Sequence, residues 1–122
     1  MEIGIDMVSI ERIRKSAENP SFLSKYFSSA EIEFFKTKKD PIESVAANFA
    51  GKEAFSKALG TGIRGFSLCE VSILRDSLGK PYIALSGQAK KLAEEKNLSF
   101  KISLSHEKNY AVAIVLGEET VL

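Results

Sequence analysis

The sequence predicts an α+β fold in which an antiparallel sheet packs against one long helix. Helical patterns concentrate in the first half of the chain and strand patterns in the second half. This partial segregation favours α+β over a doubly wound sheet. The chain has 122 residues with no internal repeat or composition shift. We therefore expect a single domain over residues 1–122.

The first forty residues predict one strand followed by short helices. Residues 2–8 alternate in the manner of a strand, and residues 9–18 have a helical pattern. Ser28 and Glu31 have the spacing of a capping box, which predicts a helix over residues 28–38.

The longest helix is predicted from Pro41 to about Leu59. Asp40 suits the N-cap, Pro41 suits the first helical position, and Gly60 suits the C-terminal cap. The loop at residues 60–65 contains three glycines but lacks the Gly-Lys-Ser/Thr ending of a Walker A motif.

The second half predicts a strand-rich region. Residues 68–75 and 82–85 predict a hairpin, residues 87–97 a helix, and residues 99–105 and 110–116 two further strands. The last of these runs is apolar throughout, so we expect a central strand buried on both faces.

Composition excludes several classes of protein. The net charge is +1, so there is no general attraction to nucleic acid or to an anionic membrane. No apolar run approaches the length of a membrane span, and we expect no signal peptide, since no basic region or long apolar segment comes before the first predicted strand. Cys69 is the only cysteine and cannot form a disulfide within the chain, which favours a reducing cytoplasm.

One carboxylate interrupts the apolar pattern of the long helix. At 100° per residue from Ile42, Val45 and Phe49 lie within about 60° of the same direction, and Glu53 lies within about 20°. An ionised carboxylate on a core-facing stripe is costly unless it is paired or binds a metal. Chemistry is therefore expected first around Glu53.

Asp6 and His106 join Glu53 as candidates for a common site. Two carboxylates from different elements can share Mg²⁺, and Lys52 and Lys57 beside them would suit phosphate. An ordinary Glu53–Lys57 ion pair at i,i+4 explains much of the same pattern, so both interpretations stand.

Five segments, in the same order along the chain, resemble the motifs of bacterial holo-acyl-carrier-protein synthases, the small type of 4′-phosphopantetheinyl transferase. They are IGID (3–6), FAGKEAFSKA (49–58), GTGI (60–63), GKP (79–81) and SLSH (103–106). The resemblance spans nearly the whole chain and implies the 4′-phosphopantetheinyl transferase fold.

The resemblance implies an activity and a set of ligands. A serine of apo-acyl carrier protein would attack the β-phosphate of coenzyme A, releasing adenosine 3′,5′-bisphosphate in support of fatty acid biosynthesis. Asp6 and Glu53 would bind Mg²⁺, Lys57 would contact phosphate, and Lys52 would be a second phosphate ligand. The general base stays open between a metal-activated water, Glu53 and a lysine.

The resemblance also implies a nucleotide side of the site and an assembly. Gly62 and Pro81 would belong to the nucleotide-side wall, with Ser105 and His106 near the adenosine 3′-phosphate. Members are typically homotrimers with sites between subunits, so His106 would serve a neighbour's Glu53.

Basic residues would dock the acidic carrier protein, and one position departs from the family pattern. The docking residues would be Arg12, Arg14 and Lys25. Arginine often precedes the signature phenylalanine, whereas this chain has Asn48, and Arg64 could supply the missing contact. A non-catalytic module that docks an acidic protein and an Mg²⁺-dependent hydrolase are the alternative functions.

Overall fold

A long helix packed on a three-stranded sheet organises the chain. The structure is a computed structural model, and it describes residues 1–120. In chain order the elements are β1 (Glu2–Ser9), α1 (Ile10–Ser16), α2 (Phe22–Tyr26), α3 (Ser29–Lys36), α4 (Ile42–Leu59), a 3₁₀ turn (Leu68–Glu70), β2 (Val71–Arg75), β3 (Pro81–Leu85), α5 (Gly87–Glu95), β4 (Leu98–His106) and β5 (Tyr110–Glu119). The predicted α+β class is confirmed.

The larger sheet has the antiparallel order β1-β5-β4, and β2 and β3 form a separate hairpin. The predicted central position of the last strand is therefore correct. Its predicted burial on both faces is only half correct. Ala111, Ala113 and Val115 are fully buried against α4, whereas the alternate residues are half-exposed because no element of residues 1–120 covers them.

The outer sheet face, defined here as the side turned away from α4, is apolar. The register places three exposed residues of β1 beside three half-exposed residues of β5. They are Ile3, Ile5 and Met7 on β1 and Val112, Ile114 and Leu116 on β5. Ile3, Ile5 and Met7 are each more than half exposed, at 62%, 57% and 62%. Large apolar patches of this kind mark interaction surfaces.

Close packing brings α4 against β1. A Cβ atom on Gly4 would lie 2.0 Å from the carbonyl oxygen of Ala54, so only glycine permits this approach. Ala50, Ala54 and Ala58 on the same helix are fully buried. The short distance between backbones sets the side chains of the C-terminal half of α4 beside those of β1.

Two predicted boundaries need correction. The long helix begins at Ile42, so Pro41 occupies the N-cap position predicted for Asp40. Asp40 Oδ1 still accepts from the N–H of Ile42 at 3.2 Å. The strand predicted from residue 68 begins only at Val71, because Glu70 Oε1 accepts from the N–H of Ser67 at 2.9 Å and holds a 3₁₀ turn.

Within residues 1–120, none of the helices combines the length and apolar character needed to span a bilayer.

Candidate active site

The structure brings together Asp6 from β1 with Glu53 and Lys57 from α4. Lys57 Nζ donates to Asp6 Oδ1 at 3.2 Å and to the carbonyl oxygen of Ile5 at 2.9 Å. Asp6 and Glu53 line one cavity of about 370 Å³. The cluster results from the close approach of α4 to β1, and we call it the carboxylate site.

Glu53 carries an unfavourable charge in this site. Burial raises the pKa of the Glu53 carboxyl, the negative charge of Asp6 raises that pKa further, and Lys57 opposes both. In the described chain, Lys57 forms its ion pair with Asp6, and none joins it to Glu53 within 4.0 Å. The i,i+4 ion pair therefore does not account for Glu53.

The donor set of the carboxylate site fits Mg²⁺. The charge of Glu53, which Asp6 disfavours, would be stabilised by a divalent cation, and Mg²⁺ prefers oxygen ligands. Residues 1–120 contain no group of three or more His, Cys, Asp or Glu side chains placed to hold a metal. A Mg²⁺ ion in the carboxylate site would therefore be coordinated by Asp6 and Glu53 and would complete its coordination shell with water and substrate oxygens, as protein-bound Mg²⁺ usually does.

The prediction for Lys52 does not fit its position. Its side chain is fully buried, and its Nζ donates to Glu31 and to the carbonyl oxygens of Leu68 and Val71. Three internal acceptors satisfy the three N–H bonds of the ammonium, so none is left for a substrate phosphate. Lys52 is the cation of a buried ion pair.

Glu31 is the residue of this buried network that the sequence did not reveal. Its predicted role in a capping box is confirmed, since Oε1 accepts from the N–H of Ser28 at 3.0 Å. The same carboxylate is fully buried and also accepts from Lys52, from Asn48 Nδ2 at 2.9 Å and from the N–H of Ile73 at 3.3 Å. The cap spacing could locate Glu31, but its partners lie far along the chain.

Asn48, the departure from the family pattern, belongs to the same network. It is fully buried, and its Nδ2 also donates to the carbonyl oxygen of Ile73 at 2.9 Å. Its Oδ1 accepts from Arg75 Nη2 at 2.9 Å. Arg64 lies exposed in the glycine loop and does not line the cavity beside Arg75, so that cavity gives no support to Arg64 as a substitute.

The residues predicted for the nucleotide side are dispersed. Pro81 and His106 line a second cavity of about 510 Å³, which we call the hairpin cavity because it lies beside the β2–β3 turn. His106 Nδ1 lies 2.7 Å from Glu43 Oε2. Ser105 alternates with His106 along β4, and its register partner Val112 places it on the outer sheet face. Gly62 lies in the exposed glycine loop with φ +62°.

Helix α4 separates the two halves of the predicted site. Glu43, beside His106, is in its first turn, and Lys57, beside Asp6, is in its last turn. At 1.5 Å per residue these positions are about 21 Å apart along the helix. The carboxylate site and the hairpin cavity share no lining residue.

Basic residues border the carboxylate site on one side. Arg12 lines the same cavity as Asp6 and Glu53. Lys25 lines an adjoining cavity of about 400 Å³, and the two cavities share Ser16, Phe22 and Phe49. Arg14 lines neither cavity, and it pairs with Glu11 at 3.6 Å and with Asp40 at 4.0 Å.

Comparison with known proteins identifies the family. Residues 2–115 match the 4′-phosphopantetheinyl transferase superfamily. The chain belongs to this superfamily. A match over nearly the whole chain confirms the predicted class of enzyme, a transferase.

Individual relatives narrow the resemblance. A holo-[acyl-carrier-protein] synthase of Clostridium botulinum strain Alaska E43 is 46% identical over 117 residues, covering 95% of each chain. The crystal structure of the synthase from Neisseria meningitidis superposes with a TM-score of 0.89 at 36% identity, covering 97% of this chain and 98% of that one. The Helicobacter pylori synthase in complex with coenzyme A gives a TM-score of 0.82 at 38% identity, covering 95% and 99%. The predicted membership of the holo-acyl-carrier-protein synthases and the predicted fold are confirmed.

Proposed function

We propose that this chain transfers the 4′-phosphopantetheine group of coenzyme A to a serine of apo-acyl carrier protein, using Mg²⁺ and releasing adenosine 3′,5′-bisphosphate. The observation that carries the proposal is the carboxylate site, in which Asp6 and Glu53 line one cavity with Lys57 beside Asp6. Membership of this family, together with that site, supports the proposal that the protein acts in the cytoplasm, in fatty acid biosynthesis.

Each side chain has a distinct task in this reaction. The serine oxygen bonds to the β-phosphorus as the bond from that phosphorus to the adenosine bisphosphate breaks. Asp6 and Glu53 would hold Mg²⁺, which would offset negative charge on the phosphoryl oxygens. Lys57 is exposed beside Asp6 and would donate to the same oxygens. The candidate bases for the serine proton are Glu53, a metal-activated water and a lysine.

The test is to incubate the protein with apo-carrier protein, coenzyme A and Mg²⁺ and to weigh the carrier by mass spectrometry. We expect a gain of one phosphopantetheine group, abolished by EDTA. Binding of the carrier without any mass gain would favour a docking module, and nucleotide release without carrier modification would favour a hydrolase. Either result would overturn the proposal.

We further propose that the protein works as a homotrimer with sites shared between copies. The outer sheet face supports this, because its exposed apolar side chains would be covered by another copy. The separation of the carboxylate site from the hairpin cavity also supports it, since assembly could set the hairpin cavity of one copy beside the carboxylate site of its neighbour.

Ile5→Glu is expected to break the assembly, because it places a charge in the centre of the outer sheet face. Light scattering should give three times the 13.4 kDa chain mass for the wild type and a smaller mass for the variant. Leu78→Glu is the control, since Leu78 is 93% exposed in the β2–β3 turn and should leave the mass unchanged. A monomeric, active wild type would contradict the shared site.

Co-expression of Glu53→Gln with His106→Ala is expected to restore transfer that each variant lacks alone. If one copy supplies Glu53 and its neighbour supplies His106, random mixing leaves about one quarter of the sites intact. The specific activity of purified mixed trimers, measured at low coenzyme A concentration, gives the fraction of intact sites. Mixed trimers no more active than the mean of the two parents would show that each site uses both residues from one chain.

Arg12→Ala is expected to raise the KM for the carrier protein on the order of fivefold to tenfold, with a weaker salt dependence. Arg12 borders the carboxylate site and has no carboxylate within 4.0 Å in the described chain. Arg14→Ala is the matched control from the same helix, since Arg14 pairs with Glu11 and Asp40. Equal effects of the two substitutions would contradict a docking surface centred on the cavity.

A further inference from the structure

Arg75 places a guanidinium in the wall of the hairpin cavity. The cavity is lined by three basic side chains, Arg75, Lys38 and His106. Its one acidic lining residue, Asp76, is occupied, because Asp76 Oδ1 accepts from the N–H groups of Leu78 and Lys80 at 2.9 Å each. Lys38 and Arg75 outnumber this one carboxylate, so the net formal charge of the lining residues is positive.

The guanidinium is held in a fixed position. Arg75 Nη2 donates to Asn48 Oδ1 at 2.9 Å, Nη1 donates to the carbonyl oxygen of Ile73 at 3.3 Å, and the group lies 4.9 Å from the ring centroid of Phe34. Asn48 cannot rotate freely, because its Nδ2 donates to Glu31 and Ile73 from a fully buried position. A fixed planar guanidinium with N–H groups to spare is suited to phosphate.

The charge of Arg75 is not neutralised locally. Partial burial lowers the pKa of the Arg75 guanidinium, and Glu31, the carboxylate that opposes this shift, is bound by Lys52. None of the ion pairs formed within 4.0 Å in residues 1–120 includes Arg75. A half-buried cation that faces a cavity without a carboxylate partner favours an anion in that cavity.

We propose that Arg75, positioned by Asn48 and Phe34, binds the 3′-phosphate of coenzyme A in the hairpin cavity. The proposal rests on the proposed function for the identity of the ligand. Lys38 and His106 border the same space. Asn48 then acts as a positioning residue, and its own amide makes no contact with the ligand.

The kinetic test compares coenzyme A with 3′-dephospho-coenzyme A. Arg75→Gln is expected to raise the KM for coenzyme A about tenfold to 100-fold, the usual range for losing hydrogen bonds to a charged group. The KM for the dephospho compound should stay within about twofold, and kcat for both should be nearly unchanged. Arg75→Lys should recover part of the loss. Lys80→Gln removes a cation of the same turn that does not line the cavity, and it should change neither KM.

Calorimetry with adenosine 3′,5′-bisphosphate separates this proposal from the proposed function. Wild type is expected to bind the nucleotide, and Arg75→Gln to bind it at least tenfold more weakly, whether or not the protein proves to be a transferase. Equal binding by both, or no binding by either, would overturn the proposal. So would an equal rise in KM for coenzyme A and its dephospho form, which would show that Arg75 only supports the fold.

Discussion

Glu53→Gln is expected to lower phosphopantetheine transfer by at least on the order of 100-fold without unfolding the protein. The amide keeps the size of the side chain but removes the charge that would hold Mg²⁺ beside Asp6, and loss even of outer-shell partners costs about 10- to 100-fold. The measurement is the initial rate of carrier modification at saturating Mg²⁺. Glu33→Gln on α3 is the matched control, because Glu33 is exposed and pairs with Lys36 on the surface.

The stability of the same variant gives an independent check on the carboxylate site. Because the pKa of Glu53 is raised in the folded state, the folded protein binds more protons than the unfolded chain just above the usual glutamate pKa of 4.5. Its stability contribution therefore falls as the pH rises through that range. The metal-free Gln variant should be at least as stable as wild type at neutral pH, and its advantage should shrink as the pH falls towards 4.5. A variant that is destabilised at neutral pH would contradict this electrostatic account.

Lys52→Met is expected to destabilise the protein by about 3–5 kcal/mol, the usual cost of removing one partner of a buried ion pair. Glu31 would stay fully buried with its hydrogen-bond donors but without its cation. Urea unfolding at a fixed protomer concentration measures the change, since assembly couples to stability. An unfolding midpoint equal to that of wild type would contradict the role of Lys52.

Two further variants separate charge from packing in this result. Lys36→Met removes an exposed ion pair with Glu33 and should cost no more than about 1 kcal/mol. The double variant Glu31→Gln with Lys52→Met removes both charges, and it should be more stable than Lys52→Met alone. A double variant as unstable as the sum of the single losses would point to packing in place of charge.

Local pattern was enough to predict most elements and part of the site. Alternation located β1 and the hairpin, and the capping box located the start of α3. Glu53 is predicted from its place in an apolar pattern and Asp6 as a second carboxylate from another element, and the structure places them in one cavity. Alternation, capping and an acid within an apolar pattern can all be recognised from residues that are close together in the sequence.

Long-range partners were the main source of error. Lys52 precedes Glu53 and looked equivalent to Lys57, but at 100° per residue it points to another side of α4, towards α3 and β2. Helix α4 is buried on most of its circumference, so analysis of a single stripe could not separate core from site. The exposure of Ile5 was equally hidden, because an apolar strand has the same sequence whether its cover comes from its own chain or from another copy.

The buried ammonium of Lys52 has a consequence for motion within the folded protein. It joins α3, α4 and the start of β2 at one point, through Glu31, Leu68 and Val71. Opening α3 alone would leave the buried ammonium of Lys52 without its carboxylate partner Glu31. This helix is therefore not free to fray as a short surface helix usually does. Residues 29–36 should therefore open only together with the hairpin, as one cooperative unit whose amide protection rises and falls as a whole.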